Sequence, residues 1–150
     1  MEENDVKNET TVPEKPKAII NIELTRIVQG LVSIGNCDID DFDTNLNIAK
    51  NITNFSEIEK VYIKTVDSLM KKHIMIDPVR KVFMVENNSY VFKSDNDKTE
   101  YEAAYESLIN TPVTVKVLKI KLSQLKKATP TIKGIALAQI HEFIDDDTKS

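Results

Sequence analysis

Between Asp43 and His73 the chain keeps helical periodicity longer than anywhere else, and it contains neither Gly nor Pro in that stretch. Ile48, Ile52, Phe55, Tyr62, Val66 and Leu69 step by four, three, seven, four and three, which draws one apolar stripe along a helix interrupted only at Glu59. Leu46, Ala49, Ile58, Val61 and Thr65 lie beside it and widen the face beyond a narrow seam. Asp43 and Thr44 can cap the start, while Lys71, Lys72 and His73 suit the negative end of the helix dipole before Asp77-Pro78 stops it. At about 1.5 Å per residue such a helix is roughly 45 Å long, more than a compact domain of this size spans. Either part of it projects or pairs with another subunit through the stripe, or it breaks near Asn51 to Asn54, which are poor helix formers.

Around this helix the pattern changes period several times. Ile20, Ile22 and Leu24 alternate with polar residues as a short strand does, and Leu24, Ile27, Val28, Leu31 and Val32 then form a helical set ending near Gly35-Asn36. Lys81 to Val85 and Tyr90 to Phe92 read as a hairpin turning through Glu86-Asn87-Asn88-Ser89, because Asn tolerates the positive φ of tight turns. Ser94 to Lys98 reads as a polar turn. A short helix from Thr99 to Ile109 places Tyr101, Ala104, Tyr105, Leu108 and Ile109 on one side, and a third strand follows at Val113 to Val117. A turn of helix is expected at Leu122 to Ala128, then a last helix from Thr131 with Ile135, Ile140, Phe143 and Ile144 inward. Its acidic end, Asp145-Asp146-Asp147, opposes the helix dipole and is expected to fray.

The fold class expected is α+β: an antiparallel or mixed sheet of about three to four strands, packed with one long helix and two to three shorter ones. Residues 1–17 hold five acids, three lysines, two prolines and only two branched aliphatics, so they read as a disordered arm. Residues 18–145 form a single domain and residues 146–150 an acidic tail. At 150 residues and 41% hydrophobic content one core is within reach, and a net charge of −4 argues against a protein dominated by nucleic acid. One cysteine, Cys37, excludes an internal disulfide and a cysteine-built zinc site. No apolar leader or membrane-length run is present, so a soluble, non-secreted protein is expected.

Candidate chemistry is sparse. Asp38, Asp40, Asp41 and Asp43 lack the central Gly and terminal Glu of an EF-hand and read as a solvated, capping loop. His73 and His141 have no partner at metal-ligand spacing and read as surface or helix-end histidines, and Cys37, among aspartates and without a nearby basic partner, does not read as a catalytic thiol. Three scattered glycines make no phosphate loop, and the pairs Glu57/Glu59 and Glu100/Glu102 face water. No catalytic residue, cofactor or metal is therefore expected. One charge asymmetry stands out: Lys116, Lys119, Lys121, Lys126, Lys127 and Lys133 occur between Thr111 and Lys133 without an acid. Strand alternation puts Lys119 and Lys121 on one face and Lys116 on the other, so a binding face is expected from Lys119, Lys121, Lys126 and Lys127. Such a face suits an acidic protein surface or, with Tyr101 or Tyr105 stacking on bases, nucleic acid. Exposed lysine also simply guards a sheet edge.

The succession of the strand and helix around Ile20 to Ile34, the long helix ending Ser68-Leu69-Met70-Lys71-Lys72, Tyr90-Val91-Phe92, Ser107-Leu108-Ile109-Asn110-Thr111, Val113 to Val117 and the closing Lys133-Gly134-Ile135-Ala136-Leu137-Ala138-Gln139-Ile140 with Phe143-Ile144 resembles a family of small uncharacterised accessory proteins of tailed bacteriophages. The similarity spans about residues 18 to 145 and rests on element order and apolar positions. It implies a phage origin, an accessory role in the virion or host cytoplasm, and no catalytic residues to carry over. Two functions are expected in turn. One is a non-catalytic structural or assembly protein that oligomerises through the long helix and exchanges its arm; the other is an inhibitor or adaptor that binds a host protein. Partners are expected to be proteins, itself included, and no membrane.

Overall fold

A computed structural model of the chain describes residues 18–149; the arm read at 1–17 lies outside them. Strand β1 (Ala18–Ile20) leads through a 3-10 turn into helix α1 (Leu24–Gly35), and α2 (Phe42–His73) follows the acidic loop. The hairpin strands β2 (Val85–Glu86) and β3 (Ser89–Tyr90) precede α3 (Asp95–Ile109) and β4 (Pro112–Thr114). The chain closes with β5 (Ile120–Lys121), α4 (Leu122–Leu125), α5 (Gly134–Gln139), a second 3-10 turn and β6 (Ile144–Asp145). The fold is α+β, with one long helix among five and six short strands in the described residues.

The strands pair two by two and do not join into the single sheet that the alternation suggested. β1 and β4 are antiparallel, β2 and β3 make the hairpin, and β5 and β6 are parallel, with Ile120 opposite Ile144. Asparagines explain why no larger sheet forms beside β4. Beyond Thr114 the chain stays extended along α2, and Asn47, Asn51 and Asn54 meet its backbone where a neighbouring strand would. Their side-chain amides donate to the carbonyls of Lys119 (3.2 Å), Leu118 (2.8 Å) and Lys116 (3.3 Å). Asn51 Oδ1 also accepts from the Leu118 N–H at 2.9 Å. The helix consequently does not break at Asn51 to Asn54: these residues are poor helix formers in isolation, but here their amides satisfy the extended segment.

The main core lies between α1, the first half of α2 and the C-terminal elements. Leu24, Ile27, Leu31 and Ile34 of α1 meet Ile48 and Phe55 of α2, with Val115, Ile120, Leu125, Ile140 and Phe143 closing the far side. The Phe55 and Phe143 rings are 5.1 Å apart. Gly30 lets α1 approach α5, since a Cβ there would stand 2.7 Å from Gln139 Cβ and 2.8 Å from Ile140 Cγ2. Arg26 clamps the same two elements, donating to the Gln139 carbonyl at 2.7 Å and to Glu142 at 2.8 Å.

Several local expectations are corrected. The polar turn at Ser94 to Lys98 is the first turn of α3, capped by Ser94, whose Oγ accepts from the Asp97 N–H at 3.0 Å. Ala104 is exposed rather than packed. The last helix is only Gly134–Gln139, and Ile135, expected inward, is 70% exposed. The acidic tail follows β6 instead of a helix end, and Asp147 accepts from the Ser123 N–H at 2.9 Å and from the Ser123 hydroxyl.

Candidate functional site

The second half of α2 leaves the main core and carries a smaller lobe made of Ile74 to Phe92 and α3. At Ile74 the backbone turns extended, and the chain is stitched back on itself: Met75 N–H donates to the Val91 carbonyl at 2.8 Å and Met84 N–H to the Met75 carbonyl at 2.9 Å. Backbone bridges pair Ile74 with Phe92 and Ile76 with Phe83. Asn87 and Asn88 both take positive φ, 49° and 61°, which is the hairpin turn expected from the sequence. The strands are shorter than expected, and Lys81, assigned to the first of them, has φ 58° and belongs to a turn. The centre of this lobe is aromatic: Tyr101 is buried, stacks on Tyr105 at 5.7 Å, and meets Phe92 at 5.4 Å and the His73 ring at 6.5 Å. Tyr101 is therefore not free to stack on a base, and Tyr105 is half-buried with one ring face taken by Tyr101.

The lobe's outer surface is unusually apolar. Met75, Ile76, Val79, Val82, Val85 and Tyr90 are all exposed within one short segment. Val85 and Tyr90 are cross-strand partners in the hairpin. Val79, at 86%, is the most exposed of the large apolar side chains, and a rigid turn presents it. Asp77 Oδ1 accepts from the Val79 and Arg80 N–H groups at 2.8 and 3.0 Å, while Asp77 N–H donates to the Val82 carbonyl at 2.8 Å. The Arg80 and Val79 N–H groups hold the Asp77 carboxyl below its ordinary pKa. Exposed apolar residues scattered singly need no explanation; here six occur between Met75 and Tyr90.

The stripe of α2 divides between the two lobes. Ile48 and Phe55 are buried in the chain's own core, with Ile52 and Tyr62 packed at its border. Val66 and Leu69 are half-buried farther along the helix. A partner helix thus finds no open seam along Ile48, Ile52 and Phe55.

His73 ends its helix as expected but is buried rather than on the surface, and it has acidic partners that the sequence reading did not find. It is 2% exposed, at the last position of α2, with Nδ1 2.8 Å from Asp97 Oδ1 and 4.0 Å from Glu100 Oε2. With Asp97 ionised, the imidazole carries its proton on Nδ1 and donates it. The Ser94 hydroxyl first, and then His73, hold the Asp97 carboxyl below its ordinary pKa. The signal available was Asp97-x-x-Glu100, two carboxylates on one helix face; a search for histidine partners close in sequence passes over it. His141, by contrast, is exposed, with Nδ1 2.9 Å from the Ala138 carbonyl. Cys37 is half-buried with its thiol donating to the Ser33 carbonyl.

The four lysines of the expected binding face are exposed, but three of them face groups of their own chain. Lys119 Nζ donates to the Glu142 carbonyl at 3.1 Å. Lys121 and Lys127 both lie close enough to Asp41 to help lower its pKa, behind the larger effect of the Thr44 hydrogen bonds, and Lys121 acts on Asp147 as well. Lys126 is exposed on the turn after α4. No ion pair within 4.0 Å joins them to that acidic loop among the described residues, so the loop and the lysines are near neighbours rather than partners.

Comparison with family models, with curated proteins and with solved structures finds no match for this chain. Among the described residues no helix is long and apolar enough to cross a membrane.

Proposed function

We propose that this chain is a non-catalytic accessory protein that works by protein–protein contact, and that the apolar surface of its smaller lobe docks a second copy of the chain. The observation that carries this reading is the concentration of exposed Met75, Ile76, Val79, Val82, Val85 and Tyr90 on a segment held rigid by its own hydrogen bonds. A rigid apolar surface loses little conformational entropy on binding, which favours its use as a contact. A second copy suits the charges around it. Arg80 and Lys81 stand beside Asp77 and Glu86, and a rim of both signs can meet itself across a two-fold axis, where each residue faces its partner's counterpart.

The resemblance to accessory proteins of tailed bacteriophages supports reading such contacts as steps in particle assembly. The alternative, an adaptor binding a host protein through its lysines, is less favoured by the positions of Lys119, Lys121 and Lys127 against groups of their own chain. Quantitative mass spectrometry of purified particles separates the two. Many copies per particle are expected for an assembly protein, and absence from particles would overturn that role.

A further inference from the structure

We infer that His73, Asp97 and Glu100 form a binding site for one divalent transition-metal ion, of which Zn2+ is the type, joining the end of α2 to the start of α3. This inference is independent of the docking surface. One imidazole nitrogen and two carboxylate oxygens lie within 4.8 Å of one another. The donors arrive from two helices: His73 ends α2, and Asp97 and Glu100 share one face of α3. A mixed nitrogen and oxygen set of this kind suits zinc and its neighbours better than calcium or magnesium, which prefer oxygen alone.

The carboxylates are oriented as ligands are. Asp97 Oδ2 accepts from the Ser94 hydroxyl at 2.6 Å, which leaves Oδ1 turned to His73. Glu100 Oε1 accepts from the Asn96 amide at 3.0 Å, which leaves Oε2 turned to the same imidazole. Each acid is thus held through one oxygen and offers the other, the usual arrangement of an outer shell supporting a metal ligand. Around a tetrahedral ion with bonds of about 2.0–2.2 Å, ligand atoms stand roughly 3.4 Å apart. The His73–Asp97 separation of 2.8 Å must open by a fraction of an ångström and the His73–Glu100 separation of 4.0 Å close by a similar amount. Side-chain rotation supplies both, since Asp97 and Glu100 keep partial access to solvent. The ion would bind Nδ1 in place of the proton now donated to Asp97, that proton moving to Nε2 so that the imidazole stays neutral, and water would complete the shell.

Local fields act both ways. The negative end of the α2 dipole and Asp95 in the first turn of α3 favour a cation, while the positive end of α3 and Lys93, close enough to act on the Asp97 carboxyl, oppose one. The described residues offer no other group of three such donors: His141 has one carboxylate beside it, Glu142 at 3.5 Å, and Arg26 already holds that acid.

The test is titration of the purified, metal-stripped full chain with Zn2+ by calorimetry, with melting followed in parallel. The wild type is expected to bind one equivalent and to melt several degrees higher when saturated. Glu100→Gln changes a solvent-accessible acid without disturbing the fold, and it is expected to weaken binding at least about tenfold and abolish the melting shift. His73→Gln, if it folds, is expected to do the same. Cys37→Ser and His141→Gln are expected to bind as the wild type does. No binding by the wild type, or affinity unchanged by Glu100→Gln, or loss of binding in Cys37→Ser or His141→Gln, would overturn the assignment.

Discussion

Asn51 and Leu118 exchange two hydrogen bonds, the amide nitrogen of Asn51 donating to the Leu118 carbonyl at 2.8 Å and the Leu118 N–H donating back to Asn51 Oδ1 at 2.9 Å. One side chain on a helix thereby does for an extended segment what a neighbouring strand does. Asn51 is 0% exposed, so nothing from solvent can replace it. Replacing Asn51 by Leu leaves the part-buried N–H and carbonyl of Leu118 without partners, and each costs up to about 1–3 kcal/mol. Asn51→Leu is therefore expected to lower stability by roughly 2–5 kcal/mol in denaturant unfolding. A loss below about 0.5 kcal/mol would mean that the segment finds other partners.

Phe55 tests the claim that the stripe of α2 is core within one chain. It is fully buried against Phe143, and Phe55→Ala is expected to cost about 3–5 kcal/mol. The signature of an oligomer helix is different: a stable folded monomer that no longer self-associates.

Gly30→Ala sets two effects against each other. Alanine gains about 1 kcal/mol of helix propensity, but its Cβ would press on Gln139 and Ile140 at under 3 Å, and forced repacking typically costs about 1–3 kcal/mol. The clash involves the Cβ of Gln139, next to the backbone, which cannot swing away. Net destabilisation is expected, and an increase in melting temperature would show that α5 moves freely.

Acid should destabilise the fold. The carboxyls of Asp41, Asp97 and Asp147 are held below the ordinary value by hydrogen bonds from Thr44, from Ser94 and then His73, and from Ser123. At Glu142 burial pushes upward, yet the Arg26 hydrogen bond and charge outweigh it and the pKa is lowered. Folded carboxylates that bind protons more weakly than unfolded ones contribute stability above the unfolded pKa, and that stability is lost as pH falls through the folded values. Melting temperature is expected to drop progressively below about pH 4, and a flat profile down to pH 3 would contradict these hydrogen bonds.

Much of the architecture was legible because it rests on local pattern. The α2 stripe repeats over many turns, and the helix runs one residue beyond the expected start; the paired asparagines announced their turn. What escaped depends on residues far apart in sequence. Asn47, Asn51 and Asn54 look like weak points of a helix until Lys116, Leu118 and Lys119 lie beside them. Ile135 keeps the spacing of an inward residue, but its helix is too short to impose that spacing, and it points outward. His73 looks solitary because its partners are Asp97 and Glu100, brought back by the intervening hairpin. Of the exposed apolar residues from Met75 to Tyr90, Val82, Val85 and Tyr90 read as strand positions and Met75, Ile76 and Val79 fell in no expected element; only their exposure in the folded chain distinguishes surface from core.

Sedimentation velocity over a range of concentrations tests the contact surface most directly. The wild type is expected to self-associate as concentration rises, and Val79→Glu combined with Val82→Glu is expected to remain monomeric with unchanged circular dichroism, because both positions are exposed and outside the core. A wild type that stays monomeric throughout, or a double variant that associates as the wild type does, would contradict the account.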